Sequence, residues 1–328
     1  MQWQKELPVK VGFVADIHIK LGQKDVPEAW ARNRFFTLFK ELAKYDANVE
    51  AWILGGDVFD KLPNMAEIEL YYELITIFTK PTFIIPGNHE SLKKDTTFLS
   101  FLKNSTSRIN PKVKIIDDYF TLDATGIDFI PYNRLKDFAK GNHPEFTQPI
   151  CVSHFRAEIP PHVKPEIDLD LFNKWKVVLA GDLHSYSNSQ RNILYPGSPV
   201  TTSFHRSLVD TGFIIFDTAT LEHNWIKLEV PQLVRKTVKA GEPTPVDEYH
   251  HVVYEMEGSL ADLANVDTDG VVTKKIVQRS TDTALILEPE MTIRDEAKEY
   301  LLYILELDDV TVDLVLKVFD DEKQHFTS

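Results

Sequence analysis

Short apolar runs that end in polar residues recur along the chain. One of them covers residues 83–85 and is followed by Pro-Gly and then by Asn88 and His89. A β-branched run that stops at Pro-Gly predicts a buried strand that delivers the next side chains into a turn.

Four more runs have the same form. Their strands are predicted at residues 11–15, 52–54, 150–152 and 177–180. The polar residues that follow are Asp16 and His18, Asp57 and Asp60, His154, and Asp182 and His184, respectively. Because ligands bind at the carboxyl ends of strands in open α/β sheets, we expect the five strand ends to form one cluster of oxygen and imidazole groups.

Helical spacing separates several of these strands. Residues 27–45 predict a packing helix that starts at a proline. Residues 64–78 predict a helix capped by Asn64 and Glu67, and its apolar positions go almost right round the cylinder. Such a helix needs two surfaces to pack on, of which one is the sheet. The other is a second helix, such as one at residues 97–103, or another protomer.

The remaining pattern up to residue 230 is that of further strands. Residues 113–129 predict short strands with tight turns, which indicates two sheets, and residues 131–143 predict a polar connection. The last strands of this part are predicted at residues 192–195, 212–217 and 224–230.

Three parts are predicted, because beyond Pro231 the motifs stop and the acidity rises. They are a catalytic domain over residues 1–230, a cap domain over 231–290 and a helical, partner-binding segment over 291–328. In the cap we expect strands at 251–256, 271–277 and 284–287 and a helix at 259–265. In the last part, one helix is capped by Thr292 with Asp295, and another covers residues 312–319.

The net charge and its distribution bear on whether the protein binds nucleic acid. The chain has 328 residues and a formal net charge of -14, which at first argues against a nucleic-acid partner. However, residues 231–328 hold 10 basic and 21 acidic residues, whereas residues 1–230 hold 26 and 29. Several acidic groups of residues 1–230 would also face bound divalent cations, whose positive charge reverses the local sign. The net charge therefore neither supports nor excludes a DNA substrate.

Two further features point to a cytoplasmic protein. Cys151 is the only cysteine, so no intramolecular disulfide can form, and its apolar strand predicts a buried, unreactive thiol. The sequence also shows neither an export signal nor an apolar stretch of about 18 residues that would span a membrane.

The five strand ends resemble the motifs of the calcineurin-like metallophosphoesterases, which are DxH, GDxxD, GNH(E/D), a lone His and GHxH in that order. Each motif alone is common at turns, whereas five in order, each after an apolar strand, are specific. The resemblance implies an α/β fold, a four-layer α/β/β/α sandwich with a smaller C-terminal α+β cap and terminal helices. It also implies phosphoester hydrolysis. The sequence departs from the family at Asp182, where GHxH has its first His.

Site roles follow from the resemblance, position by position. One divalent ion would be held by Asp16, His18 and His184. The other would be held by Asn88, His154 and Asp182, and Asp57 would bridge the two ions. His89 would face the leaving oxygen as an acid or hydrogen-bond donor, and Asp60 would orient it.

The residue types restrict the metal. Oxygen and imidazole ligands without thiolate suit manganese, iron, magnesium or zinc. The resemblance makes manganese the first expectation, with magnesium as a second, and two such ions can clamp a phosphoryl group and activate water.

Two details narrow the subfamily. Residues 56–60 read Gly-Asp-Val-Phe-Asp, without the Arg-Gly of Ser/Thr protein phosphatases, and resemble the GD(V/I)FD of SbcD-type exonuclease subunits. Residues 195–199 read Tyr-Pro-Gly-Ser-Pro and are followed by Ser203 and Phe204, which resembles a second stretch of that subfamily. This resemblance implies a manganese-dependent DNA exonuclease and endonuclease of recombination and repair, homodimeric and bound to an SbcC-type SMC-like ATPase.

Two other functions remain open. One is a phosphomonoesterase or cyclic-nucleotide phosphodiesterase on the same fold. The other is a non-catalytic scaffold for an ATPase, in which the second metal is no longer bound because Asp182 replaces the usual His. Nothing would require Asn88, His89 and His154 in such a scaffold, which argues against it.

Overall fold

The strands and helices of the chain follow the predicted alternation. The computed structural model describes residues 9–93, 96–161, 163–264, 266, 271–277, 291–305 and 307–325. The strands are β1 Lys10–Val14, β2 Ala51–Leu54, β3 Thr82–Ile84, β4 Ser91–Lys93, β5 Thr96–Thr97, β6 Val113–Ile115, β7 Phe120–Leu122, β8 Ile127–Ile130, β9 Ile150–His154, β10 Val177–Gly181, β11 Ile193–Leu194, β12 Gly212–Asp217, β13 His223–Lys227, β14 Leu233–Lys239, β15 His251–Gly258 and β16 Val272–Val277. The helices are α1 Glu28–Ala43, α2 Met65–Thr76, α3 Phe98–Ile109, α4 Tyr132–Ala139, α5 Leu260–Ala264, α6 Ile293–Glu299 and α7 Asp309–His325.

Two larger sheets carry the predicted strand ends. The first has the order β13-β12-β1-β2-β3-β6, with β1, β2, β3 and β6 parallel. The second has the order β11-β10-β9-β8-β7, and β7 is its antiparallel member. Parallel neighbours end at the same edge, so the residues after β1, β2 and β3 meet at one edge and those after β9 and β10 meet at another.

The two sheets pack face to face between helical layers. Trp52 and Leu54 of β2 face a core that also includes residues of α1, α2 and α3, whereas Ile53 faces the second sheet. In the second sheet, Val152 belongs to the core between the sheets, and Cys151 faces a third core with residues of α4. This alternation explains why the strands read as continuous apolar runs, because both faces are buried. The predicted α/β/β/α sandwich is confirmed.

One predicted connection is wrong. Residues 131–143, predicted as a polar connection, contain α4. Pro131 precedes the helix, and buried Leu135 and Phe138 lie three residues apart on one face. The polar residues between them hid this short amphipathic pattern, because it spans only two turns.

The helix predicted at residues 64–78 is present as α2, and its capping box is formed. Asn64 Oδ1 accepts a hydrogen bond from Glu67 N at 3.0 Å, and Asn64 N donates to Glu67 Oε2 at 2.9 Å. Much of its second apolar face is covered within the chain, since Leu74 is fully buried and Tyr71 hydrogen-bonds Thr106 of α3.

The C-terminal third contains a small sheet and helices. β14, β15 and β16 form a three-stranded sheet, and α5 lies in the predicted place. Thr292 and Asp295 form the predicted capping box at the start of α6. The strand predicted at residues 284–287 lies outside the described residues.

Two compact units can be distinguished among the described residues. The larger includes those up to Lys236 together with Thr244–Tyr254, and the smaller includes Thr237–Pro243 and most of those from Glu255 onward. The three-part division at residues 230 and 290 stays a prediction. None of the helices within the described ranges combines the length and hydrophobicity needed to cross a lipid bilayer.

A homodimer contact through α2 also stays a prediction, now restricted to the side chains that the chain leaves accessible. Met65 is 81% exposed, and Tyr72 is half-buried. We expect Met65→Glu combined with Tyr72→Glu to dissociate the dimer, because each change places a charge in a dry contact. Sedimentation equilibrium measures the mass. Glu73→Lys, an exposed change on the same helix, is the matched control, and a monomeric wild type would contradict the prediction.

Candidate metal centre

Four of the candidate residues have a left-handed backbone conformation within four residues of the ends of their strands. The φ angles are 58° at Asp16, 49° at His18, 51° at Asp57 and 100° at Asp182. Non-glycine residues adopt such angles at a cost, and Asp is among the residue types that tolerate them best. These backbone angles therefore mark places where the main chain leaves the extended conformation of the strands.

Main-chain hydrogen bonds fix these turns against each other. His18 N donates to Asp57 O at 2.9 Å, and Asp16 N donates to Gly56 O at 3.1 Å. The Asp16 carboxylate accepts from Asp182 N at 3.0 Å. These bonds join the ends of β1, β2 and β10, which lie in two different sheets.

Glu90 is a site residue to which the sequence analysis assigned no role. Its fully buried carboxylate accepts hydrogen bonds from Asp57 N at 3.1 Å, Phe59 N at 2.8 Å and Gly87 N at 2.8 Å. Burial, together with the nearby charge of Asp57, raises the pKa of Glu90 to about 7, against the lowering effect of these donors. The signal was present, since the third motif ends in Glu or Asp, but a role in holding two loops together is visible only in three dimensions.

Two glycines are required by close approach rather than by chemistry. A Cβ atom at Gly87 would overlap Asp57 Oδ1, and one at Gly56 would overlap His154 Nδ1. Gly56 also has a φ of 98°, which L side chains rarely adopt. The loops after β2 and β3 can therefore touch only because these side chains are absent.

One half of the site is formed by His154, Asn88 and Asp57. His154 Nδ1 donates to Gly55 O at 2.8 Å, and its Nε2 lies 2.9 Å from the Asn88 amide and 3.5 Å from Asp57 Oδ2. When His154 is protonated, Nε2 donates to Asn88 Oδ1; when it is neutral, the Asn88 amide rotates, and its nitrogen donates to His154 Nε2 at 2.9 Å and to Asp57 Oδ2 at 3.1 Å. In both states the imidazole, the amide and the carboxylate meet at one point, and their nitrogen and oxygen atoms suit a divalent cation.

The other half is formed by His18, His184 and Asp16. The two Nε2 atoms of His18 and His184 lie 3.1 Å apart, and they lie 3.9 and 4.0 Å from Asp16 Oδ1. His184 Nδ1 contacts Thr202 Oγ1 at 3.1 Å, so its Nε2 is available to a ligand. Within the described ranges, three sets of ligand atoms lie close enough to share an ion. They are Asp16, His18 and His184; His18, Asp57 and His89; and Asp16, Asp57 and His154.

The electrostatics of the site favour added positive charge. Burial opposes ionisation of Asp57, but the His154 imidazole beside it outweighs burial and lowers the pKa of Asp57. Burial likewise opposes a charged His154, yet Asp57 raises its pKa to about 10. Burial raises the pKa of Asp16 and lowers that of His18 to about 3. Buried carboxylates thus draw a proton onto an imidazole that a cation would displace.

Asp182, the departure from the motif, lies at the edge of this cluster. Its Oδ1 is 3.9 Å from His154 Nε2, and its side chain is 13% exposed. It belongs to none of the three sets of close ligand atoms among the described residues. Burial raises the pKa of Asp182, with Asp57 adding to the effect.

His89 and Asp60 are neighbours, but the contact differs from the expected one. His89 Nδ1 donates to the main-chain carbonyl of Asp60, whereas the Asp60 carboxylate pairs with Lys20 Nζ at 2.8 Å. His89 Nε2 lies 3.8 Å from Asp57 Oδ2, and its side chain is 37% exposed. The imidazole is therefore anchored at one nitrogen and open at the other.

The stretch at residues 195–199 forms hydrogen bonds with the main chain at and next to the candidate ligands. Ser198 Oγ donates to Asp16 O at 2.7 Å, and Tyr195 Oη donates to Phe155 O at 2.9 Å. A cleft of about 810 Å³ opens beside Asp182 and His184, and seven Ser and Thr residues contribute to its lining.

The motif residues, from Asp16 to His184, lie within a stretch that matches a known family model. The family model described as calcineurin-like phosphoesterase matches residues 9–201. A relative in Escherichia phage T5, named "Probable exonuclease subunit 1", is 37% identical over 319 residues, which cover 94% of this chain and 97% of that protein. A crystal structure, that of TT1561 of Thermus thermophilus, matches with a TM-score of 0.40 and 10% identity, over 66% of this chain and 98% of that one.

Proposed function

Because the chain belongs to the calcineurin-like phosphoesterase family, we propose that it is a two-metal phosphodiesterase that degrades DNA. The observation that supports this most is the meeting of imidazole, amide and carboxylate groups at the strand ends. His154 Nε2 lies 2.9 Å from the Asn88 amide, and His18 Nε2 lies 3.1 Å from His184 Nε2, beside the buried carboxylates of Asp16 and Asp57.

We propose the following roles for these residues. Asp16, His18 and His184 hold one cation, Asn88, His154 and Asp182 hold the other, and Asp57 bridges them. Manganese is the proposed ion, with magnesium also suited to the oxygen donors. When bound, two such ions neutralise charge on a phosphoryl group and activate water.

His89 is proposed to act at the leaving oxygen. Its Nδ1–H is engaged by the Asp60 carbonyl, so Nε2 is the atom that meets a substrate. In the protonated ring, Nε2–H can donate to the oxygen on which charge develops. Asp60 positions this ring through its main chain, while Lys20 holds the Asp60 carboxylate.

DNA is proposed as the substrate on the strength of the relative's name, which is that of an exonuclease subunit. The cleft beside His184 offers hydroxyl groups, such as those of Ser185 and Thr202, that suit a sugar-phosphate strand. We propose the cytoplasm of a bacterium or of a phage-infected cell as the location, because the DNA is there.

An SbcC-type SMC-like ATPase is proposed as the partner, and α7 is proposed as its binding site. Val310, Leu314 and Val318 follow one another at four-residue spacing, and each is more than 60% exposed. Such a stripe suits a partner helix. The surplus of acidic residues after position 230 suits a basic coiled-coil surface and repels phosphates.

The central experiment is a nuclease assay on linear duplex DNA with manganese. We expect wild type to release nucleotides and His89→Ala to lose about 100- to 10,000-fold in rate while it still binds manganese, because His89 is assigned to the leaving group. His143→Ala, a histidine outside the five motifs, is the control. Turnover of p-nitrophenyl phosphate without DNA cleavage would instead favour a phosphomonoesterase, and near-normal cleavage by His89→Ala would refute its role.

Asp182 is tested by metal titration. We expect Asp182→Ala to keep the ion at Asp16, His18 and His184, to weaken the other, and to raise the manganese concentration needed for activity by about tenfold or more. Asp182→His should retain activity and tighten zinc relative to manganese. Calorimetry gives the stoichiometry, with Asp182→Asn as the variant that keeps an oxygen donor. Equal binding and activity in wild type and Asp182→Ala would show that Asp182 is no ligand.

The partner surface is tested by charge placed in the stripe. We expect Leu314→Glu combined with Val318→Glu to weaken binding of the purified ATPase subunit by more than about tenfold, because a charge would be buried without a partner. ATP-independent nuclease activity should stay near wild type. Asp313→Lys changes the charge of an exposed side chain about 100° round the helix from the centre of the stripe and is the matched control. Unchanged association in the double variant would remove α7 from the contact.

A further inference from the structure

Thr202 contacts one of the proposed metal ligands but belongs to none of the five motifs. Its Oγ1 lies 3.1 Å from His184 Nδ1. The side chain of His184 is 42% exposed, whereas those of His18 and His154 are 3% and 0% exposed. Packing therefore restrains His184 least among these three histidines, and the orientation of its ring depends more on hydrogen bonds.

The Nδ1 atoms of the other histidines at the centre have different surroundings. His154 and His89 bind main-chain carbonyl groups through Nδ1. His18 Nδ1 is buried and has no hydrogen-bond partner among the described residues. Within the same ranges, His184 is thus the histidine of the centre whose Nδ1 is bound by a side chain. A substitution can remove that contact without any change to the main chain.

The main chain next to Thr202 is held from two sides. Arg34 of α1, which is buried, donates through Nη1 to Thr201 O at 2.9 Å. Thr201 Oγ1 accepts a hydrogen bond from Leu233 N, the first residue of β14, at 2.8 Å. Because hydrogen bonds to a buried charged group are among the stronger ones, this anchoring gives the Thr202 hydroxyl a fixed place beside the imidazole.

A hydroxyl group suits this position because it can both donate and accept a hydrogen bond. A cation on His184 Nε2 requires the ring proton on Nδ1, and Thr202 Oγ1 can then accept from it. The hydroxyl can equally donate to Nδ1 when the proton is on Nε2, which lies 3.1 Å from His18 Nε2. Thr202 therefore satisfies both tautomers of His184, whereas a carbonyl oxygen could satisfy one.

We infer that Thr202 is a positioning residue, which holds the His184 imidazole so that Nε2 is available to the ion. This inference rests on the proposed function, which assigns His184 to a cation together with Asp16 and His18. Hydrogen-bond partners of metal-binding imidazoles fix the tautomer and the orientation of the ring, and loss of such a partner typically weakens metal binding by about 10- to 100-fold.

Calorimetric titration with manganese tests the contact in the absence of DNA. Thr202→Val removes the hydroxyl but keeps the branched shape of the side chain, and we expect it to weaken one manganese ion by about 10- to 100-fold and to leave the other near wild type. Thr202→Ser keeps the hydroxyl and should bind manganese like wild type. Ser203→Ala removes a neighbouring hydroxyl from the same cleft and is the matched control. Thermal melting verifies that each variant is folded.

The imidazole nitrogens provide a readout that does not depend on the metal. In metal-free protein with isotope-labelled histidine, NMR reports which nitrogen of each ring carries the proton. We expect Thr202→Val to shift the two nitrogen signals of His184, which are assigned with His184→Gln. The signals of His154 should stay in place, because its Nδ1 is bound by Gly55 O.

The inference and the proposed function fail in different ways. Equal manganese binding by wild type and Thr202→Val overturns the role of Thr202 alone, and so do unchanged His184 signals or a loss of binding that Thr202→Ser shares. A wild type that binds manganese but cuts no DNA overturns the proposed substrate, while weaker binding by Thr202→Val would still support the role of Thr202. Absence of manganese binding by wild type overturns the proposed metal centre, and the inference with it.

Discussion

The buried carboxylate of Glu90 joins the loops after β2 and β3 and sets the geometry of the candidate metal centre. It accepts from the main chain of Asp57, Phe59 and Gly87, so each loop is anchored to the same two oxygen atoms. If the loops separated, the Glu90 carboxylate would lose its hydrogen-bond donors, and a buried carboxylate without donors is costly. The positions of Asp57 and Asn88 follow from that bond set.

Folding brings together buried carboxylates that repel one another. Asp16, Asp57 and Glu90 are buried near one another, and the imidazole of His154 supplies the positive charge that the carboxylates lack. Hydrogen bonds from the main chain and the rotatable amide of Asn88 make this arrangement tolerable. A divalent cation bound at this position would relieve the repulsion among these buried carboxylates.

The strand ends could be predicted because continuous apolar runs and the turn residues that end them are local signals. The meeting of Asp16, His18, Asp57 and His154 was expected from these strand ends, whereas the α/β/β/α layering was implied by the family resemblance. Contacts made by the main chain could not be predicted: the Asp60 carbonyl, rather than its carboxylate, meets His89, and Glu90 binds three N–H groups. A short amphipathic helix at residues 132–139 was hidden because two turns hold too few apolar positions to establish a period.

The close approach at Gly56 and Gly87 bears on how the site is inherited. At both positions the space that a methyl group would need is taken by Asp57 or His154. A descendant sequence can retain every oxygen and nitrogen donor and still lose the centre through one alanine at Gly87. Gly56 and Gly87 are therefore as necessary to this site as the donor residues are. A comparison of the donor residues alone would count such a sequence as functional.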